Sequence, residues 1–518
     1  MNQARMIYHI ARADFLERVR GYGFLVMLGA VVFLGYQVAL GNIGVQLGDY
    51  RGEFNSAWVG SMMALVASFF LGWFGFYLIK GSVARDYETG TGQIMATTPL
   101  TRPLYSLGKW LSNFAVLVAM VVVLMLAGVA VQFLEGESSR FDLIVFLLPF
   151  IFIAMPMLAL TAALAVLFEY IGFLRGGFGN IIYFFLFGFV ITLAISLGTN
   201  NPAFDPIGVS VLSNSMGEAA KAVFPDYSGS FSLGSTGVPI TGTFPWDGVD
   251  WSVGIIATRL MFLGVGIVMA FVSSLFFDRF DSSYRKPVRM KRAASSPDFE
   301  TDSPSRALSQ PIRLAPLTAR PDSLTFFRVV ISELKLLLKG QRWWWYVIAG
   351  GLFGASILTA PESVRAYILP IIWLWPVLIW SGLGNREIRH NTYQMVFSSA
   401  APLMRQLPAT WFAGFIVTML TGGGAALKLL SAGDTTGLIA WLSAALFIPS
   451  LALALGIWSK SPKLFEVVYV SMWYLAINKM EAVDFFGANS DGNVGFFIPF
   501  SLALIVASFI GRARQVQN

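Results

Sequence analysis

Residues 110–134 read WLSNFAVLVAMVVVLMLAGVAVQFL, 25 consecutive positions without an Asp, Glu, Lys or Arg. A helix rises about 1.5 Å per residue, so about 20 apolar residues cross a hydrocarbon core about 30 Å thick. A run this long and apolar is read as a membrane span. Similar segments lie near 21–41, 60–79, 144–168, 178–198 and 254–277, and again near 344–360, 367–384, 409–427, 438–458, 464–480 and 494–511. The sequence therefore predicts an all-α polytopic membrane protein with about twelve transmembrane helices.

Composition leads to the same class. Of 518 residues, 56% are hydrophobic and only 13% charged, against about 25% charged in a soluble domain. The net charge of +7 would point to nucleic acid in a soluble chain. Here it reads as basic inner loops, so membrane lipid is the expected partner and nucleic acid is not. With no cysteine, disulfides, thiolate catalysis and iron–sulfur clusters are excluded. The two histidines, His9 and His390, fall in separate polar segments, so neither a metal site nor a catalytic base is expected. Arg5, Arg12, Asp14, Glu17, Arg18 and Arg20 precede the first apolar run, which is itself long enough to span; no cleavable leader is expected.

Charge also predicts orientation. With the N-terminus inside and the chain alternating, about 29 of the 36 Lys and Arg residues fall inside and about 7 outside, as the positive-inside rule requires. Both termini are thus expected in the cytoplasm, most simply across a bacterial inner membrane. Residues 199–253, rich in Gly, Ser, Pro and aromatics, are expected as an outer loop that caps the helices. Residues 280–324 include RKPVRMKRAASSPDFETDSPSR, a basic Pro/Ser-rich run that reads as a disordered cytoplasmic linker. It divides the chain into a first six-helix domain, 1–279, and a second, 325–518. Each half opens on a charged stretch, IARADFLERVRGYG and FRVVISELKLLLKGQRWWW, expected as an amphipathic helix lying in the membrane interface.

The halves also share an internal motif. Residues 84–114 read ARDYETGTGQIMATTPLTRPLYSLGKWLSNF, and residues 385–415 read NREIRHNTYQMVFSSAAPLMRQLPATWFAGF. Arg85 falls on Arg386, Asp86 on Glu387, Thr91 on Thr392, Gln93 on Gln394 and Trp110 on Trp411. Pro99 to Arg102 answers Pro402 to Arg405 after a small shift. Each loop follows the second span of its half, so the repeat is parallel. Each carries charges, then a short apolar stretch (IMATT, MVFSS) expected as one or two helical turns ended by proline. Gly90 and Gly92 permit tight bends before it. Such a loop reads either as a handle through which a soluble partner moves both spans or as a solvated inner loop with no partner.

The pattern Glu88-x-Gly90-Thr91, then Pro99-Leu100-Thr101-Arg102, then Gly108-Lys109-Trp110 resembles the loop between the second and third spans of ABC-2-type exporter permeases. The resemblance implies six spans per permease domain, an elbow helix before the first, and a coupling helix in this loop that docks on an ATPase. Carried over, the first coupling loop comprises Asp86, Glu88, Gly90, Thr91, Pro99, Arg102, Gly108 and Lys109. The second comprises Glu387, Arg389, Thr392, Pro402 and Arg405, and departs from the pattern: Arg389 stands for Glu88, Asn391-Thr392 for Gly90-Thr91, and Thr410 for Lys109. No G-x-x-x-x-G-K-[ST] phosphate loop occurs. The expectation is a transport subunit without catalytic residues or cofactors of its own, with ATP and Mg²⁺ on a separate ATPase present in two copies.

Competing classes are a secondary carrier, a membrane-embedded enzyme, and a permease that signals or extracts lipid without full transport. The near-interface charges Glu169, Glu466, Arg259 and Lys428 read as groups that reach water, the basic ones by snorkelling, and no chain of mid-membrane carboxylates supports a carrier. Asp205, Asp226, Asp247 and Asp250 read as solvated charges whose spacing fits no calcium loop.

Overall fold

In the computed structural model the described residues are 3–137, 140–227, 229–234, 239–280, 325–339, 341–399, 401–478, 480–488 and 494–517. The linker expected at 280–324 lies, but for Phe280, outside them.

The first half runs through α1 (Gln3–Val19), α2 (Tyr22–Ala39), strands β1 (Gly44–Gln46) and β2 (Tyr50–Gly52), α3 (Ser56–Trp73), α4 (Gly75–Ile79), α5 (Ser82–Glu88), α6 (Thr91–Ala96), α7 (Arg102–Glu135), α8 (Leu143–Pro149), α9 (Met155–Tyr170), α10 (Gly177–Ser196), α11 (Val209–Val223), β3 (Ser232–Gly234), β4 (Gly242–Phe244) and α12 (Val253–Ser273). The second half runs through α13 (Thr325–Leu338), α14 (Trp343–Leu358), α15 (Pro361–Ser363), α16 (Leu369–Leu374), α17 (Val377–Trp380), α18 (Arg386–Arg389), α19 (Tyr393–Phe397), α20 (Pro402–Ser431), α21 (Thr435–Ser459), α22 (Pro462–Ile477) and α23 (Phe497–Gln517). The chain is an all-α polytopic membrane protein.

Every expected span coincides with helix, yet among the described residues nine helices are long and apolar enough to cross a membrane, or ten if α1 and α2 count as one span across their 73° bend. The shortfall is one of length in α14, and of length and apolar content in α22, which carries Lys463 and Glu466. α14 and α22 have 16 residues each, which covers about 24 Å, and flanking residues must make up the rest. Polar caps set several starts: Asn55 accepts from the amide of Trp58, and Asp434 from that of Gly437. A single turn of π-helix at Phe150–Ala154 joins α8 to α9, and another at Val364–Ile368 joins α15 to α16.

Packing runs in the same order in both halves. The opening helix lies on the third span (α1 on α7, α13 on α20), and the fourth span lies on the sixth (α9 on α12, α21 on α23). The halves meet where α10 crosses α22, the fifth helix of each, with Phe184 on Tyr474 at 5.8 Å and Phe185 on Trp473 at 6.1 Å between ring centres. The two opening helices differ. α13 buries Val330, Glu333 and Leu337 on one face and matches the amphipathic expectation. The fully buried positions of α1 are Ala11, Asp14 and Arg18, so the centre of its protein-facing stripe is charged, with Met6, Ile10, Phe15 and Val19 half-buried against the core beside it.

At the opposite end lies a cap larger than the expected 199–253. β1 pairs antiparallel with β3 and β2 parallel with β4, which recruits residues between the first two spans. Tyr50 stacks on Phe224 at 4.0 Å, and Trp58 meets Trp246 edge-on at 5.9 Å. Asp205, expected to be solvated, is buried and accepts from the amides of Gly208 and Ser210 and from the Ser210 hydroxyl. Arg259, expected to snorkel, is also fully buried and donates to the carbonyl of Asp205 at 2.7 Å. It ties the sixth span to the cap.

At the cap edge Arg51 donates to both oxygens of Glu137, at 3.0 and 2.6 Å, and Glu137 also accepts from the Phe54 amide at 2.9 Å. These bonds outweigh burial and hold the Glu137 carboxyl below its ordinary 4.5. A depressed acid contributes stability above its unfolded pKa and loses it as pH falls through the folded value. Acidification below about pH 4.5 should therefore speed hydrogen exchange at Phe54 beyond the intrinsic change. Glu137→Gln should show the faster exchange at neutral pH and no further acid step; an unchanged profile would count against the clasp.

Candidate coupling site

The first loop is built from the end of the second span. Gly81, at φ +116°, turns the chain into α5, a backbone state L side chains rarely adopt. The four amides of residues 81–84 converge on Glu169 at 2.7–3.1 Å, and the Ser82 hydroxyl adds a fifth bond at 3.2 Å. Glu169 is 1% exposed. A carboxylate on the amides of a helix start is favourable, and here it pins the loop to the fourth span. Glu169 was expected to reach water and does not. Gly90, at φ +74°, makes the bend into α6 as expected. Gly92 makes none: the Phe280 ring would lie 2.3 Å from a Cβ there, so its role is close packing.

Beneath the loop sits a charge cluster. Lys109, 1% exposed, pairs with Asp86 at 2.8 Å and Asp14 at 3.0 Å, and donates to the carbonyl of Ser82 at 3.3 Å. Asp86 also accepts from Tyr105 at 2.5 Å, and Asp14 from Arg18 at 2.7 Å and Ser112 at 2.6 Å. Burial pushes the Asp14 carboxyl up, but Arg18, Lys109 and Ser112 together outweigh it and hold it below the usual range. One lysine thus joins α1, α5 and α7. Gly108 lets α1 approach, since a Cβ there would fall 2.9 Å from the Ile10 side chain.

Of the predicted first-loop residues, Asp86, Gly108 and Lys109 are buried, and Glu88, Thr91, Pro99 and Arg102 lie at the surface. The outer side of α6 is carried by Ile94, 70% exposed. Between α1 and the loop lies a cavity of about 960 Å³ with Met6, Ile10, Met95 and Leu104 in its walls and Asp14 and Lys109 among its lining.

The second loop repeats the arrangement with other cations. Glu387 is buried and accepts from Gln406 at 3.0 Å and pairs with Arg512 of the last helix at 3.3 Å. Glu333 of α13 pairs with Arg386 at 2.5 Å; burial raises its carboxyl, and Arg386 offsets that only in part. Thr410, in the place of Lys109, is buried and donates to the carbonyl of Gln406 at 3.0 Å. Arg389 and Arg405 are exposed and Thr392 is half-buried, and the outer side of α19 carries Met395, 74% exposed. Register is fixed by the tryptophans: Trp110 stacks on Phe114 and Trp411 on Phe415 at interplanar angles of 2° and 11°, and each indole donates to the fourth span, to Ala159 O and Ser450 Oγ. In that register Pro402 sits in the first turn of α20 while Pro99 precedes α7, so the two prolines are not structural equivalents.

Residues 8–202 match the family model described as ABC-2 family transporter protein. That stretch is similar to ABC-2 family transporter proteins. The match runs from within α1 to just past the fifth span, and likens that part of the chain to the membrane component of an ABC transporter. No curated protein and no solved structure matches the chain.

Asp14, Ser112 and Tyr105 were not legible in the sequence as members of the cluster around Lys109. The available signal was an acid five positions before the end of each opening helix, Asp14 in α1 and Glu333 in α13. Lys109→Met should leave two buried carboxylates short of a cation and lower stability by about 3–5 kcal/mol. Adding Asp86→Asn should recover part of it. Thermal unfolding in detergent reads both, and a wild-type midpoint for Lys109→Met would refute the cluster's structural weight.

Proposed function

We propose that this chain is the complete permease of an ATP-driven exporter. Its two six-helix halves are parallel copies, 1–279 and 325–518, joined by the 280–324 linker. Each docks one copy of a separate ABC ATPase, which holds ATP and Mg²⁺, through its loop. The setting is a bacterial inner membrane with both termini cytoplasmic.

The observation that carries this reading is an exposed apolar turn held over a buried charge cluster, twice. Ile94 on α6 and Met395 on α19 face outward, while Asp86 and Glu387 beneath them are anchored to the opening helices or the last span. A short helix with a free outer face offers a contact; a buried salt-bridged base resists bending. Force applied to α6 then reaches the fourth span through Glu169, α7 through Lys109, and α1 through Asp14. The surface residues Glu88, Arg102, Arg389 and Arg405 are assigned to polar contacts around each turn. Export direction follows from family resemblance, and the positive-inside bias supports the orientation.

Purification of the full chain from its host should bring down an ATPase at two copies per permease. Ile94→Asp should reduce that capture and the ATP-driven transport it supports by roughly tenfold or more, as loss of a buried contact anchor does, with unchanged thermal unfolding. Met395→Asp should have a comparable effect if both loops dock. Full capture in the double variant, or transport that persists without any ATPase, would overturn the reading.

A further inference from the structure

A second polar cavity, of about 720 Å³, opens at the loop end where α10 crosses α22. Both halves line it. Its cations are Lys80, Arg85 and Arg175 from the first half and Arg389, Lys460 and Lys463 from the second. Its carboxylates are Glu88, Glu169 and Glu466.

Six cations face three carboxylates; Glu169 and Glu466 attract Lys80 and Lys463 through space, and an excess of positive charge remains. Glu169 is occupied by the amides of residues 81–84, and Glu466, 3% exposed, accepts from Asn180 at 2.5 Å across the seam. Three of the cations hydrogen-bond neutral oxygens. Lys80 donates to the carbonyls of Leu174 and Gly176 and to Asn180 Oδ1, at 2.9, 3.2 and 2.6 Å. Lys463 donates to the carbonyl of Lys80, and Arg175 to that of Glu169 at 2.8 Å. Arg85 alone of the six is in an ion pair, with Glu17 at 3.0 Å; the other five make none among the described residues. Several cations brought around one cleft repel one another unless an anion enters, and in a site partly shielded from water that attraction is strong. Guanidinium forks with ammonium groups suit the oxygens of a phosphate.

What lies beside the cleft restricts the ligand further. The seam rising from it is aromatic: Phe184, Phe185, Trp473 and Tyr474, with Trp73 on Phe184 at 4.9 Å. Charge at the mouth and rings along the seam fit a molecule with an anionic head and an apolar body. We propose that this cleft binds the phosphate-bearing head of an amphipathic substrate entering between the halves from the loop end. The proposal deepens the permease reading by naming a substrate class; it rests on that reading for transport but not for binding.

The test uses the full chain in phosphatidylcholine nanodiscs, titrated with short-chain phosphatidic acid and separately with inorganic phosphate, with tryptophan fluorescence as readout. Saturable binding of phosphatidic acid is expected. It should weaken roughly tenfold or more in Arg389→Gln/Lys460→Gln, return in part with Lys460→Arg in place of Lys460→Gln, and be unmoved by Arg328→Gln, a surface cation on α13 outside the cleft. Both cleft positions lie at least partly at the surface, and wild-type thermal unfolding checks that the variant is folded. Phosphatidic acid binding well above phosphate assigns a lipid-like ligand. Phosphate binding as tightly, with the same variant sensitivity, keeps the anion site but assigns a soluble phosphate compound, overturning the amphipath. Binding of neither, or binding indifferent to the double variant, overturns the site. ATPase capture on the same sample separates the two ideas: intact capture with no phosphate binding removes only this proposal, and lost capture with intact binding removes only the coupling reading.

Discussion

A lysine buried against two aspartates is what the loop end of the first half depends on. Lys109 lies on the third span, Asp86 in the loop and Asp14 on the opening helix, three segments far apart in sequence. Desolvating such a group costs several kcal/mol per ion unless its donors are satisfied. Lys109 satisfies its own with two carboxylates and a carbonyl, and the carboxylates take further bonds from Tyr105, Arg18 and Ser112. Removing any member strands the others, so the three segments keep one relative geometry. That rigidity allows a six-residue helix, α6, far too short to be stable alone, to sit at the surface as a defined shape.

The second half meets the same need from a different direction. With threonine at the Lys109 position, the cation for Glu387 comes from Arg512 on the last helix, and the opening helix is tied separately through Glu333 and Arg386. The first half therefore runs one continuous charge network from opening helix to loop to third span. The second runs two pairs, one of them into α23. In the proposed mechanism, motion of the two loops then reaches different spans: the third in the first half, the sixth in the second. Two halves fused in one chain, as proposed, would permit this, because neither loop would have to serve both positions.

The fold class was legible because apolar runs are long and prolonged burial leaves few compositional alternatives. The short helices α6 and α19 were legible from an apolar stretch between bends and a following proline. What escaped has a common cause. Glu169, Glu466, Asp205 and Arg259 stand near span ends, where sequence alone suggests contact with water, yet each is buried with partners more than 50 positions away or on a neighbouring turn. Spacing along the chain carries no information on such pairs. The cap was underestimated for a related reason: three-residue strands such as Gly44–Gln46 are too short to show a period. The helix count fell from twelve to nine or ten because runs such as 344–360 and 464–480 were already short, and α14 and α22, at 16 residues each, fall below a full crossing.

Placing an excess of cations at the seam, and not in the core of either half, has a mechanical consequence. The clusters around Lys109 and Glu387 are neutralised internally and favour a single arrangement. The cleft around Lys80 and Lys463 is held by hydrogen bonds to neutral oxygens, and its like charges oppose close approach of the halves there. The aromatic contacts of α10 with α22 act in the other sense, drawing the halves together. A ligand that supplies negative charge removes the repulsion, and one that also carries an apolar body competes for the aromatic contacts. Binding at this position would therefore change the balance between closing and opening of the seam, which is the equilibrium that an ATPase acting on the two rigid loops would have to drive.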